Sequence, residues 1–168
     1  MVVHSARPVE SHTAAPPVAW LNEAEARAWR AFIDADYRLM DTLNRDLHTR
    51  EGLTLAEYRI LVRLNEAPDG SLRMSLLADG VLSSRSRLTH QIRRMQEQGL
   101  VVRDTCDEDG RGVLAVITDD GRARLAAAAP SHVAAVRRCL IDLLTADELA
   151  MMAEVFEKVD RRLLTGDH

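Results

Sequence analysis

Cysteine, aromatic side chains and long apolar runs are all scarce in this sequence, and the first and last of these shortages each close off a class of protein. Two cysteines in 168 residues, Cys106 and Cys139, are too few and too poorly spaced for a disulfide framework or a four-ligand zinc site, which points to a reducing compartment. No apolar run approaches the roughly 18 residues that cross a bilayer. The N-terminus shows no basic start, apolar stretch and cleavage site of the export type. A cytoplasmic protein with no membrane partner is the expectation. Enzymatic signatures are missing as well: there is no glycine-rich phosphate loop, paired-carboxylate constellation or serine nucleophile motif, and His48, His90 and His132 share no metal-ligand spacing. No catalytic residue, cofactor or metal is expected. Net positive charge is also lacking, since 22 Lys and Arg face 26 Asp and Glu for a total of -4, which at first sight disfavours a nucleic-acid partner.

What is present is a helical chain with an apolar fraction of 46%, enough to bury a core. Residues 1–19 carry three prolines and no apolar period, as a flexible tail does. From Asn22 to about Arg50, apolar residues recur at the three-and-four spacing of one helical face, through Trp29, Phe32, Ile33, Tyr37, Met40, Leu43 and Leu47. A capping box, Thr54-Leu55-Ala56-Glu57, opens a second helix that Pro68-Asp69-Gly70 stops. Met74 to Ala78, a turn at Gly80, and a pattern from Ser84 to Gln98 then read as helix, tight turn and helix, with Gly99 as a left-handed terminator. Leu100 to Arg103 and Val113 to Ile117 switch to strand-like residues around a charged loop, the pattern of a hairpin. Thr118 caps a further helix with an apolar row at Leu125, Val133, Val136, Leu140 and Leu144, in which Pro130 should introduce a kink. A second capping box, Thr145 to Glu148, opens a last helix with a row at Leu149, Met152, Phe156, Val159 and Leu163.

Charge partition reverses the first impression. Between Arg73 and Arg103 six arginines stand against two acids, a local net of +4, so the remainder of the chain carries -8. A basic island in an acidic protein is a focused electrostatic footprint. At 100° per residue, Leu88, Ile92 and Met95 share one narrow face of the helix from Ser84. The opposite face bears Ser86, Thr89, His90 and Arg93, flanked by Arg87 and Arg94, with Ser84 and Arg85 at the start. Short hydrogen-bonding groups suit base edges in a major groove, and arginines suit phosphates. A charged helix face is more often plain solvated surface; the adjoining turn and hairpin favour the DNA reading here.

These elements resemble the MarR family of bacterial transcriptional regulators over roughly Trp20 to Leu163. The resemblance is carried by Leu82-Ser83-Ser84-Arg85-Ser86-Arg87-Leu88-Thr89-His90, by Gln98 to Arg103, and by Asp109-Gly110-Arg111 followed by Thr118-Asp119-Asp120-Gly121. It implies a mainly α fold with a small β-hairpin wing. The corresponding organisation is a tail (1–19), an N-terminal dimerisation helix (20–52), a winged helix-turn-helix domain (53–117) and C-terminal dimerisation helices (118–164). It further implies a homodimer on a pseudo-palindromic operator, acting as a repressor. In that arrangement Arg111 enters the minor groove and Asp109 orients it; many relatives have another arginine where this chain has Gly110, which implies a weaker wing grip. Three long amphipathic helices exceed what a small winged domain can cover, an independent reason to expect the dimer.

The resemblance also implies release by a small aromatic or phenolic effector held between the dimer helices and the winged domain. Trp29, Tyr37 and Tyr58 are the candidate ligand contacts, although aromatics at helical spacing are usually core or interface. Redox sensing is less favoured: acids surround Cys106, and Cys139, beside Arg137 and Arg138, is equally suited to packing. A competing class is a helical dimer that acts by protein contact or small-molecule sequestration without binding DNA. An arginine-bearing outward face is not expected of it.

Overall fold

The computed structural model describes residues 18–81, 84–105 and 112–165. It falls into two compact units, one ending at Asp36 and one beginning at Tyr37. Helix α1 (Glu23–Glu51) starts at Asn22, whose side-chain oxygen accepts from the Glu25 N–H at 2.9 Å while Glu25 accepts from the Asn22 N–H at 2.8 Å. In the N-terminal unit Trp29 and Phe32 stand one turn apart with ring centroids 6.1 Å apart, and both are exposed.

In the second unit, α2 (Leu55–Glu66) begins at the expected capping box and is followed by a three-residue strand, β1 (Ser71–Arg73). Helices α3 (Met74–Gly80) and α4 (Arg85–Glu97) form the helix-turn-helix pair, with Ser84 capping α4 by accepting from the Arg87 N–H at 3.3 Å. Gly99 adopts φ +75°, and the Leu100 N–H returns to the Met95 carbonyl at 2.9 Å, which closes α4 in the left-handed manner its sequence implied. Strands β2 (Val101–Thr105) and β3 (Val113–Ile117) pair antiparallel with Val101 opposite Ile117. The expected hairpin is therefore present, but the sheet has three strands in the order β1-β3-β2, because Leu72 pairs with Ala115 on the other edge of β3.

Helix α5 (Asp119–Cys139) continues on both sides of Pro130 and gives way to a 3-10 turn at Ile141–Leu143, so Leu140 and Leu144 are not part of it. Its buried face is made of Gly121, Leu125, Ala128 and Ala135, while Val133 is exposed. Of the expected row, Leu125 lies on that face, where alanines take the other buried places. Helix α6 (Ala146–Leu164) opens at the second capping box and has no buried residue along its 19 positions. One core joins Leu47 of α1, Ile60, Leu61 and Leu64 of α2, Leu77 of α3, Leu88, Ile92 and Met95 of α4, and Val101, Ala115 and Ile117 of the sheet. Among the described residues no helix is long and apolar enough to cross a membrane.

Candidate nucleic-acid interface

The amphipathic period of α4 sets which side chains face outward. Leu88, Ile92 and Met95 are fully buried and anchor the helix to the core, and Ser84, Arg85, Ser86, Arg87, Thr89, His90, Arg93 and Arg94 are all exposed. Ser86, Thr89, His90 and Arg93 lie opposite the buried row. The Thr89 hydroxyl donates to the Arg85 carbonyl at 2.8 Å, and Arg93 lies 3.8 Å from the exposed Glu97. Such a pair between exposed groups is weak and screened, so it leaves the Arg93 guanidinium available to a stronger acceptor.

The two flanks of α4 differ. On the sheet side, Arg85 and Thr89 line a cleft with Arg73, Met74, Ser75, Gly112 and Val113. From that side Arg103 of β2 donates to the Thr89 carbonyl at 3.0 Å. On the α2 side, Arg87 and Gln91 border a groove shared with Asn44 of α1 and Arg59 of α2, and Arg94 reaches Glu57 at 3.5 Å. Arg85 and Arg87 have no acidic partner among the described residues. The arginine island is thus not uniform: Arg94 and Arg103 already make internal contacts, roles that the sequence reading assigned to phosphate or to bulk charge. Asp109 and Arg111 of the wing, and Cys106 with them, lie outside the described residues.

A separate cavity of about 520 Å³ lies between α1, α2, α3 and α5. Met40, Leu43, Leu55 and Val62 form its apolar wall; Tyr58 and His132 meet across it with ring centroids 4.4 Å apart, and Arg59 and Arg63 stand at its edge. His132 Nδ1 is buried with no hydrogen-bond partner among the described residues. Burial pushes the His132 imidazole below its ordinary pKa against the pull of Asp46, and burial likewise raises the Tyr58 phenol. Both rings are therefore neutral near pH 7. Of the three aromatics expected to touch a ligand, Tyr58 lines this cavity, whereas Tyr37 is 76% exposed and Trp29 lies exposed in the N-terminal unit. His132 carried no sequence signal, since a lone histidine in a helix is usually just a satisfied polar residue.

A helix-turn-helix anchored on a buried apolar row, a recognition helix with a polar outer row and a short antiparallel sheet beside it define a winged-helix protein. Residues 51–112 match the model of the MarR family. The chain is similar to AbsC, a MarR family transcriptional regulator from Streptomyces coelicolor, with 39% identity, 88% of this chain and 99% of that one covered, and a TM-score of 0.83. Sco3205, a MarR family regulator of the same organism solved in complex with DNA, is 38% identical over 86% of this chain and 94% of its own, also with a TM-score of 0.83. The HTH-type transcriptional regulator MhqR of Bacillus subtilis is 26% identical over 119 residues, 71% of this chain and 79% of its own. The chain belongs to the MarR family of winged-helix transcriptional regulators, which are DNA-binding proteins and not enzymes.

Proposed function

We propose that this regulator binds a pseudo-palindromic operator as a homodimer and represses from it, with α4 in the major groove and the wing in the minor groove. The observation that carries the reading is the outward row Ser86, Thr89, His90 and Arg93, fixed in place by three fully buried residues beneath it. Arg85 and Arg87 are the phosphate contacts; Arg111, oriented by Asp109, is the minor-groove contact. Solution of the 38% identical Sco3205 in complex with DNA supports the same use of this fold. Support for the dimer comes from α6, where Val155, Val159 and Leu163 are exposed along an unburied helix, a pattern that a second copy would cover.

The test is fluorescence anisotropy with the duplex upstream of the chain's own gene, paired with sedimentation of the protein alone. Specific binding that is lost with Arg93→Ala, and a dimer that dissociates with Val159→Asp, are expected. Equal affinity for the upstream and a scrambled duplex would sink the proposal and favour the reading in which the dimer acts by protein contact or sequestration.

The 520 Å³ cavity supports an effector site of a size that suits a small aromatic molecule. An aromatic ring packs beside Tyr58 and His132, and Arg59 with Arg63 favours negative charge on the ligand. Titration of simple phenols and hydroxybenzoates against the protein–DNA complex tests this site, with His132→Ala as the variant expected to lose the response.

A further inference from the structure

We infer that Glu57 and Arg94 form a tether that sets the roll of the recognition helix, and that Arg94 is a positioning residue and not a phosphate contact. The inference rests on the operator-binding reading above but changes the part that Arg94 plays in it.

Glu57 is only 1% exposed and is the buried charged residue among the described residues. Its Oε2 accepts from both the N–H and the hydroxyl of Thr54 at 2.9 Å, completing the capping box of α2. Its Oε1 is buried and makes no hydrogen bond; the cation facing it is Arg94, at 3.5 Å. A buried carboxylate oxygen without a cation is strongly unfavourable, more so than the loss of one contact between exposed charges. Were Arg94 drawn away to a DNA phosphate, Glu57 would be left in that condition. Arg85 and Arg87 have no such counter-charge among the described residues and are the arginines that phosphates can recruit.

Position on the helix explains what the tether does. Around α4 the buried row occupies one side, Arg85 and Thr89 turn toward the sheet, and Arg87, Gln91 and Arg94 turn toward α2. Arg103 holds the sheet flank through the Thr89 carbonyl, and Arg94 holds the opposite flank through Glu57. Apolar packing beneath a helix resists its withdrawal more than its rotation, since apolar contacts are non-directional. A hydrogen bond on one flank and an ion pair to a buried carboxylate on the other resist rotation and so fix which side chains meet the base edges.

Two measurements test this. The first needs no DNA: a double-mutant cycle of Glu57→Gln and Arg94→Ala by urea denaturation. Glutamine keeps an oxygen for Thr54, so the α2 cap survives. The double variant is expected to be no less stable than the weaker single variant, and additive losses would overturn the tether whatever the protein binds.

The second compares wild type, Arg94→Ala and Arg94→Lys on the upstream duplex and a scrambled duplex over a range of salt. With Arg94→Ala, upstream affinity is expected to fall about tenfold, the scale of one misread base pair, with scrambled-duplex affinity nearly unchanged. The slope of log affinity against log salt stays at its wild-type value, and Arg94→Lys restores much of the discrimination. A merely structural loss would lower stability without changing the ratio of upstream to scrambled binding in the folded protein, and would count against the proposal. A slope smaller in magnitude by about 0.9 would identify Arg94 as a phosphate contact and overturn it. If wild type itself fails to discriminate the two duplexes, the operator-binding reading falls and the positioning role falls with it, while the stability cycle still reports whether the pair exists.

Discussion

Arg103, on strand β2, donates to the main-chain carbonyl of Thr89 at 3.0 Å, so the sheet and helix α4 are joined by a side chain. Replacing it with leucine removes a charge-assisted hydrogen bond at an exposed position. A stability loss of about 1 kcal/mol is expected, readable by urea denaturation. Upstream-duplex binding should weaken more than binding to a scrambled sequence. An unchanged ratio would mean that the contact does not help to orient α4.

Arg85, Arg87 and Arg93 should separate into two kinds of effect. Arg85→Ala and Arg87→Ala each reduce the magnitude of the salt slope by about 0.9 and weaken binding to any duplex alike. Arg93→Ala instead relaxes base preference, with a discrimination loss of about 1–3 kcal/mol at the position it contacts. Affinity measurements at several salt concentrations on single-base operator variants distinguish the two patterns.

Much of this arrangement was visible in the sequence, and the reason is local chemistry. Both capping boxes, the Thr118 cap, the Gly99 terminator and the Leu88, Ile92 and Met95 row depend on residues within one or two turns of each other, and the structure has them all. The strand Ser71–Arg73 was not legible because three residues after Pro68-Asp69-Gly70 are too few to display alternation. The internal contacts of Arg94 and Arg103 were equally hidden. Glu57 is 37 positions before Arg94, and nothing in the spacing of either tells that folding brings them together. The α5 row was misread because alanine at Ala128 and Ala135 gave a weaker signal than the exposed Val133.

Stability should depend on pH through His132. Its folded-state pKa lies below the ordinary 6.5 because burial disfavours the imidazolium, so the unfolded chain binds the additional proton. This contribution leaves stability unaffected above the ordinary value and lowers it as pH falls through that value toward the folded-state one. Asp46, half-buried nearby, opposes the shift and limits its size. Thermal melts from about pH 8 to about pH 5 should fall less steeply for His132→Gln than for wild type. Identical profiles would show that His132 does not control this range.

Gly121 should tolerate no side chain. A Cβ there would collide with the carbonyl oxygen of Leu100, a main-chain atom that cannot move aside cheaply. Gly121→Ala is expected to lose about 1–3 kcal/mol, despite the better helix propensity of alanine. A denaturation midpoint at or above that of wild type would refute the close approach.

That approach belongs to a junction with a wider consequence. Thr118 donates its hydroxyl to the Gly99 carbonyl at 2.7 Å and its N–H to the Leu100 carbonyl at 3.2 Å, while its oxygen accepts from the Gly121 N–H at 3.0 Å. One threonine therefore finishes the chain leaving the recognition helix and starts the long helix α5. A fragment cut between Ile117 and Thr118 would strip two carbonyls of their donors and remove the cap of α5 in the same stroke. Chimeras that exchange reading heads between relatives should keep Gly99 to Gly121 as one inheritable block, because the winged portion and the long helix share a seam that neither can close alone.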